Sequence, residues 1–400
     1  VIIHRPVTLL DTWRHNTSMA AEALPPPAPP APASLPSPTA ASKAVPSAAS
    51  ASLHERLAAT RTARHAAIGA SRSTPWAQRA YRSSSLPAAW TVDLFTFRSR
   101  GLGNIWMPLL VVLLVSSAWT SYSVAFLSPD SQTCATLRNA ETAFGLWLTS
   151  LSFLLVFRLN RSATRHWEAR QLCGGITVHC RDLAITASTG MAESPQIRDR
   201  LCEIAVAFPV AFMLHIWGEP LDRADAFESM LEGVFDKELM AAMRTTTHRP
   251  LALIQYAQSL LNEWKVGRLR EASTAQAMPR AALDAPLYTE LLKTIRGFGP
   301  AVGGCERVQG TPLPFAYVVH LRSFLLLVLC GIPFVYSCEW RFATIPLSVI
   351  IAFGLLGIEA ASVACQRPFS EYPTKNHHDL ERFATGISDE VTDVLMRAKT

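Results

Sequence analysis

Thr149, Phe153 and Phe157 recur at intervals of four residues, and Arg158, Arg161 and Arg165 follow them in the next eight positions. At about 3.6 residues per turn the first three share one stripe of a helix, and that stripe drifts slowly toward Arg161 and Arg165. A stripe that is apolar and then cationic acquires a definite chemistry when several copies surround an axis. The aromatic rings would form a narrow hydrophobic constriction that gates by dewetting, and rings of arginine beside it would gather anions and disfavour cations. On an isolated helix the same residues have a plainer reading. Phe153 and Phe157 are then packing side chains, and the arginines orient the helix or form surface ion pairs such as Arg165 with Glu168. Symmetric assembly is what separates the two readings.

Other chemistry-bearing residues are scattered. Glu359 lies in the apolar run GLLGIEAASVAC, and a carboxylate at such a depth lines water or pairs with a cation. It is a candidate gating or proton site, or an interfacial residue about two turns from Arg367. Cys173, His179 and Cys180 are zinc-ligand types, but no four-ligand set at the usual spacing accompanies them. His215 and His320 lie on different apolar segments and read as packing histidines rather than as haem ligands. No nucleophile elbow, phosphate-binding loop or paired-carboxylate motif occurs, so neither an enzyme nor a bound cofactor or metal is expected.

The elements that position these residues are membrane helices. The chain has 400 residues, of which 49% are apolar and 17% charged. Ile105–Leu127 carries no charge, and Phe342–Cys365 carries only Glu359. Both are long enough to cross about 30 Å of hydrocarbon. Phe315–Tyr336 is a third span, with His320 and Arg322 near its start, and Ala143–Phe157 is a short fourth. Ile204–Trp217 is apolar too, but Pro209 and His215 mark it as a helix buried in an aqueous layer. From Leu146 to Arg170 no Gly or Pro intervenes, so one helix of roughly 37 Å is expected to leave the membrane and project beyond it.

The net charge of +6 is concentrated in the first hundred residues and in the arginine run. No RNP-type or zinc-finger pattern accompanies those charges, so they orient helices and imply no nucleic acid. Arg98 and Arg100 precede the first span and the arginine run follows the second, which places all of them on the inner side with both termini. Residues 1–89 form a separate region rich in Ala, Pro, Ser and Arg. Within 23–92, seven basic residues stand against the single acid Glu55, the bias of an organelle transit peptide. Residues 90–170 hold the first hairpin, 171–313 a helical aqueous layer, 314–366 the second hairpin and 367–400 a polar C-terminal segment. In the layer, Asp222, Asp225, Glu228, Glu232 and Asp236 recur at helical spacing opposite Phe227, Met230, Leu231 and Phe235, as a solvated acidic row would. No strand pattern of useful length appears, so the fold class is all-α. The eight cysteines show no CxxC pairs. Cys134 and Cys338 fall in short loops on one side of the membrane, where a disulfide between them is conceivable.

The run FRLNRSATRHWEARQLCGGI resembles the second-helix signature of bestrophin-related proteins, of general form FR-N-S-RWWEAR-LWG, with His166 in place of the first Trp. PLPFAYVVHLRSFLLLVL and ATIPLSVIIAFGLLGIEAASVACQRPF are similar to the last two spans of the bacterial, plant and algal branch. With HRPLALIQ between them, the resemblance extends from about Trp90 to Ile387. It implies a homopentameric anion channel whose neck is Thr149, Phe153 and Phe157, with Arg158, Arg161 and Arg165 in an anion vestibule. Thr149 departs from a place commonly held by a branched apolar residue, which implies a wider or wetter neck there. Animal relatives clasp calcium after the PF element, but here SEYPTKNHHDLE mixes Lys375 and two histidines with three acids, and calcium gating is not implied. Plant and algal relatives imply a multi-pass protein of the chloroplast thylakoid, or alternatively the envelope, conducting chloride, bicarbonate or other small anions. The rival reading is a non-conducting membrane scaffold that binds partners through the acidic helix.

Overall fold

The computed structural model describes Leu57 and residues 102–218, 228, 230–231, 233–271, 278–369 and 378–397. The transit-type segment apart from Leu57, the acidic residues Asp222, Asp225 and Glu232, and residues 370–377 lie outside them. Among the described residues every regular element is helical and no strand occurs, so the protein is all-α. In chain order the helices are α1 (Leu102–Phe126), α2 (Gln132–Asn139), α3 (Glu141–Gly190), α4 (Pro195–Trp217), α5 (Lys237–Thr245), α6 (Arg249–Glu271), α7 (Met278–Gly310), α8 (Phe315–Trp340), α9 (Thr344–Gln366) and α10 (Leu380–Arg397).

These helices build two separate cores. One joins α1, the first part of α3, α8 and α9 through Ile105, Leu151, Leu155, Leu325, Val328 and Leu356. Its outer surface stays apolar, with Trp106, Leu114, Phe126, Leu327 and Ile350 exposed. That is the surface a bilayer requires and water does not. The other core joins the later part of α3 to α4, α5, α6, α7 and α10. Helix α4 is also apolar and long enough to cross a membrane, but 83% of its apolar window is covered by protein. It is therefore the centre of the aqueous layer, as Pro209 and His215 suggest. The continuous apolar stretch Phe315–Gln366 is two helices separated by a 3-10 turn at Arg341–Ala343, where Arg341 at φ 47° carries the chain out of α8. The membrane helices are thus α1, the start of α3, α8 and α9.

Helix α3 is longer than the sequence suggests. It continues past Arg170 and through Gly174 and Gly175 to Gly190, 50 residues in all, or about 75 Å. A boundary placed at residue 170 therefore falls inside a helix. The reason is that one face is buried along almost its whole length, through Leu151, Leu155, Arg158, Ser162, Ala169, Cys173, Ile176, Cys180, Leu183 and Ala187. Steps of three, four and seven keep those positions on one side. Packing along that side outweighs the cost of about 1 kcal/mol that each mid-helix glycine carries.

At the membrane end opposite the arginines, Cys134 and Cys338 are joined in a disulfide with their Cα atoms 5.7 Å apart. Ser131 caps α2 by accepting from the Cys134 amide at 3.3 Å. Trp119 Nε1 donates to Ser337 Oγ at 3.1 Å, and Ser337 Oγ donates to Ser123 Oγ at 3.2 Å. Small polar contacts of this kind hold helices together where the hydrophobic effect cannot.

Helix α7 approaches α3 through two glycines. A Cβ on Gly297 would lie 2.3 Å from the His179 ring, and one on Gly304 would lie 2.6 Å from Leu172. Gly304→Val is expected to destabilise the detergent-solubilised protein by about 1–3 kcal/mol, read as a lower midpoint of thermal unfolding. Gly303→Ala, where nothing lies within 4 Å, should leave the midpoint unchanged or raise it.

Candidate functional site

In its membrane half α3 has two unlike faces. One carries Thr149, Phe153, Val156 and Phe157, none of them covered by the rest of the chain; Phe153 is 62% exposed and Phe157 64%. The other carries Leu151, Leu155 and Arg158, packed toward α8 and α9. The candidate constriction residues therefore share one open face. Thr149 Oγ1 donates to the Gly145 carbonyl at 2.8 Å. Its hydroxyl is satisfied within the helix, which reduces the polarity that the side chain would bring to that level.

Arg158 does not belong with the other two arginines. It stands about half a turn of helix from Thr149 and is fully buried. Its Nε donates to Glu359 of α9, and its terminal nitrogen donates to Gln366 Oε1 at 3.3 Å. Arg322 of α8 donates to the second oxygen of Glu359 at 2.8 Å. The expectation that Arg158 lines a vestibule is corrected accordingly: it is the buried counter-ion of Glu359. Of the two readings open for Glu359, pairing with a cation is the one realised, and the carboxylate is shared by arginines from two other helices.

Arg161 is exposed on α3. Arg165 is half-buried and turned toward the end of α7, where it donates to the Val308 carbonyl and, at 2.8 Å, to the Thr311 carbonyl. Carbonyls at a helix C-terminus carry partial negative charge and attract such a cation. Glu168, expected as its partner, instead accepts from Arg307 of α7 at 2.6 Å. Both contacts pin the C-terminal turn of α7 to the emerging part of α3.

The remaining residues singled out in the sequence do not gather into one site. Cys173 and Cys180 are buried on the packed face of α3, and Cys305 of α7 is buried as well. His179 meets the edge of Phe298 at 5.5 Å between ring centroids. His320 stacks on Phe324, and His215 meets Glu306 and His248. That last grouping joins residues 33 to 91 positions apart in pairs from 215, 248 and 306, and no spacing in the chain announces it.

Comparison with known proteins brings a family to this geometry. A family model described as Bacterial/Fungal Bestrophin protein matches residues 81–393. A voltage-dependent anion channel-forming protein of Nostoc sp. is 30% identical over 230 residues, which is 56% of this chain and 68% of that protein. The chloroplastic voltage-dependent chloride channel 2 of Arabidopsis thaliana is 28% identical over 240 residues, 58% of this chain and 52% of that protein. Among solved structures, a bacterial bestrophin homologue from Klebsiella pneumoniae carrying one substitution has a TM-score of 0.59 at 20% identity, covering 72% of this chain and 98% of that one. That likeness extends to the fold.

Removing one member of the buried ion cluster should be far more costly than removing its exposed member. Glu359→Gln leaves the Arg158 charge buried without its anion and is expected to cost about 3 kcal/mol or more. Arg322, with about half of its side chain exposed, should cost about 1 kcal/mol or less when changed to Gln. Thermal unfolding followed by helical circular dichroism in detergent compares the two; equal losses would contradict the assignment of Arg158 as the dominant partner.

Proposed function

The chain belongs to the bacterial/fungal bestrophin family, and on that premise we propose that it is a passive anion channel assembled as a homopentamer around α3. The single observation that carries this reading is the open face of α3. Two phenylalanines project from a helix whose opposite side is fully packed, a waste of apolar area unless lipid or other copies of the same face cover it. Around an axis, Phe153 and Phe157 form the hydrophobic neck, with Thr149 at its entrance and Arg161 as the cation of the approach. Arg165 adds positive potential from its seat on α7.

The names of relatives, anion channel-forming proteins and chloroplastic chloride channels, support chloride as a permeant ion and a chloroplast membrane as the location. They point to a channel rather than an enzyme. Bicarbonate is the second proposed permeant ion, since a positive approach attracts both and neither requires a specific ligand set. The transit-type composition of residues 1–89 supports import into the organelle. We assign the thylakoid membrane, with the envelope as the alternative, and place the aqueous layer in the stroma.

Purified protein in planar bilayers should carry current whose reversal potential follows an imposed chloride or bicarbonate gradient. Cation-selective current would overturn the reading, and persistent silence together with a stable captured partner would favour a scaffold. Phe153→Ala should widen the neck and raise conductance. Arg161→Gln should lower anion selectivity, more strongly at 0.01 M than at 1 M salt, where the screening length falls from about 30 Å to about 3 Å.

A further inference from the structure

We propose that His215, His248 and Glu306 form a binding site for a zinc-class divalent ion in the aqueous layer, with two imidazoles and one carboxylate as ligands and water completing the shell. The three residues come from the last turn of α4, the residue preceding α6 and the last part of α7. The Nε2 atoms of His215 and His248 lie 2.7 and 2.8 Å from the same oxygen of Glu306. The two rings stack with centroids 4.0 Å apart. One ligand atom from each residue falls within 4.8 Å of the others.

The donor set selects the ion. Two imidazoles and a carboxylate suit zinc and its neighbours, with an open fourth position for water. Calcium and magnesium call for oxygen ligands. A tetrahedral centre with bonds of about 2.0 Å holds its ligand atoms about 3.3 Å apart. The side chains would therefore separate by roughly half an ångström to admit the ion. All three are partly exposed, which gives a hydrated ion a way in.

Nearby groups leave the site free to act. Arg307, next in the chain, is directed to Glu168 of α3. The thiols of Cys202 on α4 and Cys305 on α7 are fully buried in the core, away from the partly exposed ligand atoms. His248 also caps α6, its Nδ1 accepting from the Leu251 amide at 3.2 Å. Ligation through Nε2 moves the ring proton to Nδ1, so that amide, at an exposed helix end, turns to water. The ion would tie α4, α6 and α7 together two residues before Val308, whose carbonyl holds Arg165. This inference stands independently of ion conduction.

The test is a zinc titration of the purified full chain against a chromophoric chelator. One ion per chain is expected, with at least tenfold weaker binding in Glu306→Gln and no saturable site in the His215→Gln/His248→Asn double variant. Asn at position 248 keeps a good helix cap, and an unchanged helical spectrum excludes misfolding as the cause. Cobalt(II) in place of zinc should show visible bands of a nitrogen and oxygen site without a thiolate charge-transfer band. Absence of saturable binding, undiminished binding in the double variant, or a thiolate band would each overturn the proposal.

Discussion

A fully buried guanidinium inside a membrane protein needs an anion, and the arrangement of this molecule follows from how Arg158 finds one. Moving either charge alone out of water costs several kcal/mol, so α3 can pack its arginine inward only where α9 presents Glu359. Arg322 from α8 completes the cluster. Three of the four membrane helices are thereby fixed in rotation and height relative to one another. Once Arg158 is turned inward, Thr149 and Phe153, about 180° and about 140° around the helix, must face outward, and Phe157, about 100° away, lies at the edge of the same open face. The open face and the buried ion pair are two sides of one choice.

The same helix then serves a second solvent without a break. Below the ion cluster its packed face meets α7, α4 and α10 rather than α8 and α9, and small residues take over from large ones. Gly297 and Gly304 of α7 let the two backbones approach closely, while Arg165 and Glu168 grip the last turn of α7. Contacts at the membrane boundary are polar and specific, and those on either side are apolar. Movement of the aqueous layer would thus be transmitted to α3 as a rigid displacement rather than absorbed by a loop.

Much of this was legible in the sequence. Uninterrupted apolar runs marked the membrane helices, and Pro209 with His215 marked α4 as a core helix despite its hydropathy. The stripe of Thr149, Phe153 and Phe157 was readable because a four-residue repeat survives helix geometry. Helix phase groups Arg158 with the other arginines, about 60° from Arg161 and about 20° from Arg165; what sets it apart is its buried partner Glu359 on α9, 201 positions away in the chain. The uninterrupted run to Arg170 does not announce that α3 continues through Gly174 and Gly175 to Gly190, because tertiary packing there overrides the local cost of glycine. The pairing of Arg165 with helix-end carbonyls, and the meeting of His215, His248 and Glu306, depend on contacts between distant segments that no local pattern encodes.

The disulfide between Cys134 and Cys338 spans 204 positions of the chain, and between its ends lie α3, α4, α5, α6, α7 and most of α8. The aqueous layer is therefore strung inside a closed covalent ring, anchored at the membrane face opposite to it. A peptide bond cut anywhere in that layer except in α10, which follows Cys338, would open the ring but release no fragment. The two flanking parts of the chain would remain one molecule, with their membrane helices still in register, until the sulfur bridge itself is reduced.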